Sequence, residues 1–248
     1  MKYFKYLFLL AGIAFLTSCS FTETMYLNED GSGKMSMLLD AGGLIGMGGD
    51  EMTGSEEDMD SIIDFKTFFE EKKDSISQLS AEEQAKLKKL EKFKLHMVIN
   101  TADEIMTFDL FTDFNKVEEA NDLFDSFNSL EDLGNSMPGE GGGENKDEGK
   151  EQLIKVLYSF KKNKFKRDAY IIDKEKYQTQ IDSMGGMESF FSGSLYKLEY
   201  HFPRKIKETT QESATFSADG KTVFYEIDFL EYMRNPNLLD IEVTLEKK

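Results

Sequence analysis

Tyr196-Lys197-Leu198-Glu199-Tyr200-His201-Phe202-Pro203 is the stretch of this chain that decides the fold. Tyr196, Leu198, Tyr200 and Phe202 alternate with Lys197, Glu199 and His201, a period of two that gives a strand one apolar and one polar face. Pro203 ends the run because it has no N–H for a sheet ladder. A strand buried on one face is the mark of an antiparallel sheet, and the residues downstream supply neighbours. Residues 215–218 and 221–229 flank Asp219-Gly220, a dipeptide suited to a tight hairpin turn. Leu239, Ile241, Val243 and Leu245 then alternate with Asp240, Glu242, Thr244 and Glu246 in a last strand.

Upstream, Tyr177, Ile181 and Met184 mark a short helix ending at Gly185-Gly186, and residues 152–160 and 165–171 form a hairpin about Lys162-Asn163. Residues 134–150 hold six glycines, a proline and many acids with no periodicity, and read as a flexible loop. Before it, Asn115 and Glu118 cap an amphipathic helix with the stripe Ala120, Leu123, Phe124, Phe127 and Leu130. Strands are expected at 94–100 and 104–111. From Ser61, the spacing of Ile62, Phe65, Phe69, Lys72 and Ile76 predicts a helix, and Ser80 with Glu83 has the form of a capping box opening another. Nearest the start, Met25-Tyr26-Leu27 and residues 34–39 flank the turn Asn28-Glu29-Asp30-Gly31-Ser32-Gly33, a first hairpin. Short strands closed by tight turns, with helices inserted among them, predict an α+β fold: an antiparallel β-sheet built from hairpins with inserted amphipathic helices.

Residues 1–18 have a different character. Lys2 and Lys5 precede a short apolar run over 7–15, and Leu16-Thr17-Ser18-Cys19 follows, the order of a secretory signal. About nine apolar residues fall well short of the roughly 20 that cross a bilayer. The tetrad resembles the lipobox of bacterial lipoproteins, and this resemblance implies a signal peptide over 1–18 and acylation of Cys19 (palmitate among the acyl chains). A lipidated tether over 19–24 and one domain over 25–248 are then expected, with the membrane as partner through those chains. Ser20 rather than aspartate follows the cysteine, which by the same resemblance fits an outer-membrane lipoprotein facing the periplasm.

Asp30-Gly31-Ser32-Gly33, Met106-Thr107-Phe108, residues 114–119, Tyr200-His201-Phe202-Pro203 and residues 217–223 resemble uncharacterised lipoproteins of Bacteroidetes and, more distantly, the LppM-like envelope domain. The resemblance implies a mixed helix and sheet module in the cell envelope with a lipid or an envelope protein as partner.

Charge and composition narrow the chemistry. The chain carries a net charge of −17, which argues against nucleic acid as a partner, because phosphate binding needs a basic footprint. Cys19 is the only cysteine, so no intrachain disulfide, thiolate metal site or second thiol is available. His96 and His201 are the only histidines and the only candidates for a general base in an envelope hydrolase using carboxylates; no Gly-x-Ser-x-Gly elbow accompanies them. Asn28, Asp30 and Ser32 imitate a calcium loop, but Leu39 stands where the closing glutamate belongs. The pairs Glu70-Glu71, Glu82-Glu83, Glu118-Glu119 and Asp58 with Asp60 fall on surfaces. The Met/Gly segments around Met47 and Met187 could line an apolar groove. No cofactor, metal or catalytic residue is assigned. The expectation is a membrane-anchored, non-enzymatic binding or structural module with Cys19 as its one functional residue.

Overall fold

A computed structural model describes residues 19–46, 58–121, 153–185, 188 and 191–247. The fold is α+β, as expected, with twelve described strands in two sheets. β1 (Ser20–Leu27) and β2 (Gly33–Asp40) form the first hairpin. A short helix α1 (Gly42–Gly46) follows, then β3 (Met59–Asp64), the helices α2 (Phe65–Glu71), α3 (Lys73–Ile76) and α4 (Ala81–Leu90), and the pair β4 (Lys94–Asn100) and β5 (Ile105–Phe114). A 3-10 turn spans Val117–Asn121. After it come β6 (Ile154–Lys161), β7 (Lys164–Ile171), α5 (Lys174–Ser183), β8 (Leu195–His201), β9 (Ile206–Thr209), β10 (Thr215–Phe216), β11 (Thr222–Asp228), α6 (Phe229–Arg234), a 3-10 turn at Pro236–Leu239 and β12 (Ile241–Leu245).

The larger sheet runs β10-β11-β8-β1-β2-β5-β4-β3 and the smaller runs β6-β7-β12-β9. Every pairing is antiparallel except β1 with β8, where Ser20 faces Leu195 and Tyr26 faces His201 in parallel register. That pairing joins strands far apart in sequence, so no local turn signal announces it, and the single hairpin sheet expected from sequence becomes two. One continuous core lies between the layers: Met25, Met35, Leu198 and Tyr200 of the larger sheet, Tyr158, Phe165 and Val243 of the smaller, and Phe69, Leu90 and Phe93 from the helical stretch.

Three expectations are corrected. Residues 20–24, read as a tether, are the opening residues of β1, because Phe21, Glu23, Met25 and Leu27 alternate inward and the strand pairs on both edges. Ser61 and Ile62, read as helical, belong to β3: the three-residue step from Ile62 to Phe65 straddles a boundary at Asp64, whose carboxylate accepts from the Thr67 N–H and caps α2. Phe229 is helical rather than the last residue of a strand, with Asp228 capping α6 from the end of β11. The capping box at Ser80 and Glu83 is present as read. Of the helix expected beyond Asn115, Val117–Asn121 is a 3-10 turn; its continuation at 123–130, the loop over 134–150 and the signal segment 1–18 lie outside the described residues.

The two ends of the molecule differ. At one end the turn at Asn28–Gly33, the turn at Lys162 (φ 63°) and the turn at Gly220 (φ 69°) cluster. Arg204 ties this end together, donating to the carbonyls of Glu246 (2.6 Å) and Lys162 (3.2 Å) and pairing with Glu29 at 3.1 Å. Gly33 has no room for a side chain there, since a Cβ would stand 2.0 Å from the Tyr26 carbonyl oxygen. At the other end lie Cys19, the last residue of β2, the start of β8 and α6.

Candidate functional site

The most concentrated chemistry in the described residues is a polar cluster enclosed between the two sheets. Glu23 lies on β1 with the inward parity of Phe21 and Met25, and Arg167 lies on β7 with that of Phe165 and Ala169. Both side chains are 0% exposed. The Arg167 Nε donates to both Glu23 oxygens at 3.3 and 3.4 Å. Three phenols complete the carboxylate's shell: Tyr158 donates at 2.7 Å, Tyr196 at 3.2 Å, and Tyr200 donates to the same oxygen as Tyr158. Tyr232, on α6, is buried close enough to Arg167 to feel its charge, and Asp240 stands 3.9 Å from the Arg167 Nη1.

Burial raises the phenol pKa values of Tyr158, Tyr196 and Tyr200 well above the ordinary range, and the Glu23 charge adds to it. All three therefore stay neutral donors. Burial works against the Arg167 charge, yet the neighbouring Glu23 carboxylate opposes it, and the guanidinium is held more firmly protonated than usual. The cluster lines neither the cleft between α2, α3 and α4 nor the small cavity beside Met184. Its chemistry is that of an internal clasp between the sheets, since removing one member of such a pair leaves a buried charge uncompensated.

The two histidines do not converge. His201 is on the outward face of β8, its ring stacked on Tyr26 at 4.0 Å. Its Nδ1 lies 2.9 Å from the Thr222 hydroxyl and its Nε2 3.0 Å from the Glu199 carboxylate. His96 is on β4, its Nε2 2.8 Å from Asp60. Four strand steps separate β8 from β4, about 19 Å at 4.8 Å per step, so no single site uses both. A carboxylate, an imidazole and a hydroxyl do stand in line at His201, but Thr222 is buried within the strand pair, and neither described cleft includes any of the three.

The remaining candidates are structural in their surroundings. Asn28, Asp30 and Ser32 bond to one another in the hairpin turn, with the Ser32 hydroxyl donating to Asp30 at 2.7 Å. Glu83 caps α4 and Glu119 accepts from the Asn115 N–H, while Glu70, Glu71, Glu118, Asp58 and Asp60 are exposed. Met47 and Met187 lie outside the described residues, whereas Met184 lines a cavity of about 20 Å³ with Ile181, Phe191, Leu230 and Met233. A larger cleft, about 470 Å³, opens between α2, α3 and α4 over Phe69, Ile76 and Leu87, with Lys66, Lys73, Lys88, Glu70 and Glu91 at its rim.

Cys19 immediately precedes β1 and is 4% exposed. Burial raises its thiol pKa, and the neighbouring Asp40 carboxylate adds to the rise. No described helix is long and apolar enough to cross a membrane.

Sequence reasoning missed the Glu23–Arg167 cluster because it assigned Glu23 to a tether. The signal was present in parity: Glu23 falls two residues from Phe21 and Met25, and Arg167 two from Phe165 and Ala169, so each charge interrupts an otherwise apolar inward row.

No protein-family model matches the chain, and no curated protein matches its sequence. Among solved structures, the chain is similar to the folded domain of LppM from Mycobacterium tuberculosis, with a TM-score of 0.41 and 7% identity over 93% of this chain and 90% of that one.

Proposed function

We propose that this chain is a lipid-anchored cell-envelope protein, a non-enzymatic binding or structural module held on the membrane by acyl chains on Cys19. The observation that carries the reading is the junction at Cys19. The lipobox-like Leu16-Thr17-Ser18 stands on one side and the first residue of a central strand on the other. A chain cut before Cys19 would lose its apolar leader and keep every described strand. Acylation then supplies the membrane affinity that an acidic surface cannot, at about 0.8 kcal/mol per buried methylene. Ser20 after the cysteine supports an outer-membrane address facing the periplasm, with a lipid or envelope protein as the partner. Cells fed radiolabelled palmitate should yield a labelled, membrane-fraction protein, and Cys19→Ala should abolish both label and sedimentation with membranes. A Cys19→Ala protein that keeps its label overturns the proposal.

One observation favours a second reading, an envelope hydrolase: the Glu199, His201 and Thr222 side chains in line at 3.0 and 2.9 Å. A base needs a reachable nucleophile, and here the hydroxyl is Thr222, enclosed between β8 and β11. On the non-enzymatic reading, the purified protein and His201→Ala turn over aryl esters equally slowly. A hydrolase would show turnover that His201→Ala removes.

A further inference from the structure

Resting on the reading of Cys19 as a lipid anchor, we propose that the Cys19 end of the molecule lies directly on the bilayer, with Ile105 and Ile172 seated in its interfacial region. The argument begins with chain length. Ser20 is already paired with Asp40 on one side and Leu195 on the other, so no residue separates the acylated position from the sheet. Neighbouring Cα atoms stand about 3.8 Å apart, whereas a free tether of five residues would reach about 17 Å at 3.4 Å per residue. The anchor therefore holds the end of the sheet at the lipid surface.

That end carries two exposed isoleucines, Ile105 and Ile172. Asp40, the partner of Ser20, pairs with Thr107 of β5, and Ile105 stands two residues further toward the membrane, 40% exposed. The lateral offset from β1 to β5 is two strand steps, about 10 Å. Ile172, 53% exposed, follows the last residue of β7. β7 runs toward the same end: its Phe165 packs on Tyr200 and Phe202, and its Arg167 reaches Glu23, closer to Cys19 along β1. The opposite end is closed by the turns at Asn28–Gly33, Lys162 and Gly220 with the charges of Arg204, Glu29 and Asp30.

The surface's chemistry also selects its occupant. After cleavage the chain has 28 basic and 47 acidic side chains, since Lys2 and Lys5 leave with the signal. Such a domain gains nothing from anionic headgroups; beside the acids Asp103, Glu104 and Asp173, the anchored end offers the apolar area of Ile105 and Ile172, and such area settles about 5 to 10 Å into the headgroup boundary.

The chain contains no tryptophan, so single-tryptophan variants report position cleanly. Lipidated full-length Ile105→Trp, Ile172→Trp and Tyr26→Trp proteins are reconstituted into phosphatidylethanolamine vesicles containing brominated phosphatidylcholine. Tyr26 is 51% exposed and lies seven residues along β1 from Cys19, about 23 Å at 3.3 Å per residue. The expected result is a blue shift and bromine quenching at positions 105 and 172, with neither at 26. A Gly/Ser spacer inserted between Cys19 and Ser20 should keep the protein on the vesicles and reduce the quenching. Protein that floats with the vesicles yet is unquenched at both 105 and 172 overturns the apposition alone. Protein that fails to float, with an unmodified N-terminal peptide by mass spectrometry, overturns the anchor and the apposition together.

Discussion

β1 and β8 carry a polar cluster on each face, and the two are built from much the same groups. Inward lie Glu23, Tyr196 and Tyr200, met by Tyr158 and Arg167. Outward lie Tyr26, Glu199 and His201, met by Thr222. Only the parity of residues along the same paired strands separates them. The inner carboxylate is 0% exposed and filled by its own partners, while the side chain of Glu199 keeps 36% of its surface in water. The same pairing of opposite charges weighs several times more in the low-dielectric interior than at a wetted face. The inner cluster therefore bears on stability, and the outer one remains the face on which solvent or a partner can act.

The contrast breaks if the inner pair proves cheap to remove. Arg167→Met should cost about 3 to 5 kcal/mol in urea unfolding, because Glu23 is left enclosed without its ionic partner. Adding Glu23→Leu removes the enclosed acid but should recover little of the loss, since the buried Tyr158, Tyr196 and Tyr200 hydroxyls then lose their acceptor. A loss under about 1 kcal/mol for the single variant would mean that water reaches the pair. Next in size is Tyr200→Phe, which removes one of three phenolic donors and should cost about 1 to 3 kcal/mol. Tyr196→Phe should cost less, since its bond, at 3.2 Å, is longer than the 2.7 Å bond of Tyr158.

How much of this was legible follows from the range of each signal. The hairpin turns at Asp30-Gly31 and Asp219-Gly220 are local dipeptide chemistry, and both stand where the sequence puts them. The capping box at Ser80 is equally local. The β1 to β8 pairing joins Ser20 to Leu195 and has no short-range trace; without it, residues 20–24 look like a polar leader and Glu23 like a surface acid. β3 was hidden by coincidence, because Ile62 and Phe65 are spaced as a helix requires but belong to different elements. The inner cluster draws on β1, β6, β7, β8 and α6, so no sequence segment holds more than two of its polar residues and none holds the constellation.

The outer cluster sharpens the contrast from the other side. His201→Ala removes its stacking on Tyr26 and its contacts to Thr222 and Glu199. The expected loss in urea unfolding is nevertheless about 1 kcal/mol, the net worth of an ordinary hydrogen bond at a part-wetted face. A loss matching that of Arg167→Met would erase the distinction between the faces.

Asp109 tests the middle of the range. It shares the outward face of β5, opposite His96, with one carboxylate oxygen enclosed and without a hydrogen-bond partner among the described residues. Burial raises its pKa above the ordinary 3.8, against the opposing effects of a Ser36 hydrogen bond and the charges of Lys34 and His96. The folded state thus holds this proton more tightly than the unfolded chain does. The stabilisation is complete below the unfolded pKa, near pH 3.8, and is lost as pH rises through the higher folded value. Asp109→Asn keeps the shape and cannot ionise. Its unfolding free energy relative to the parent should therefore rise between pH 3 and pH 7. The parent and variant share every other titrating group, so their difference isolates this carboxyl. A difference that stays flat with pH would place Asp109 with the freely wetted acids of the outer face.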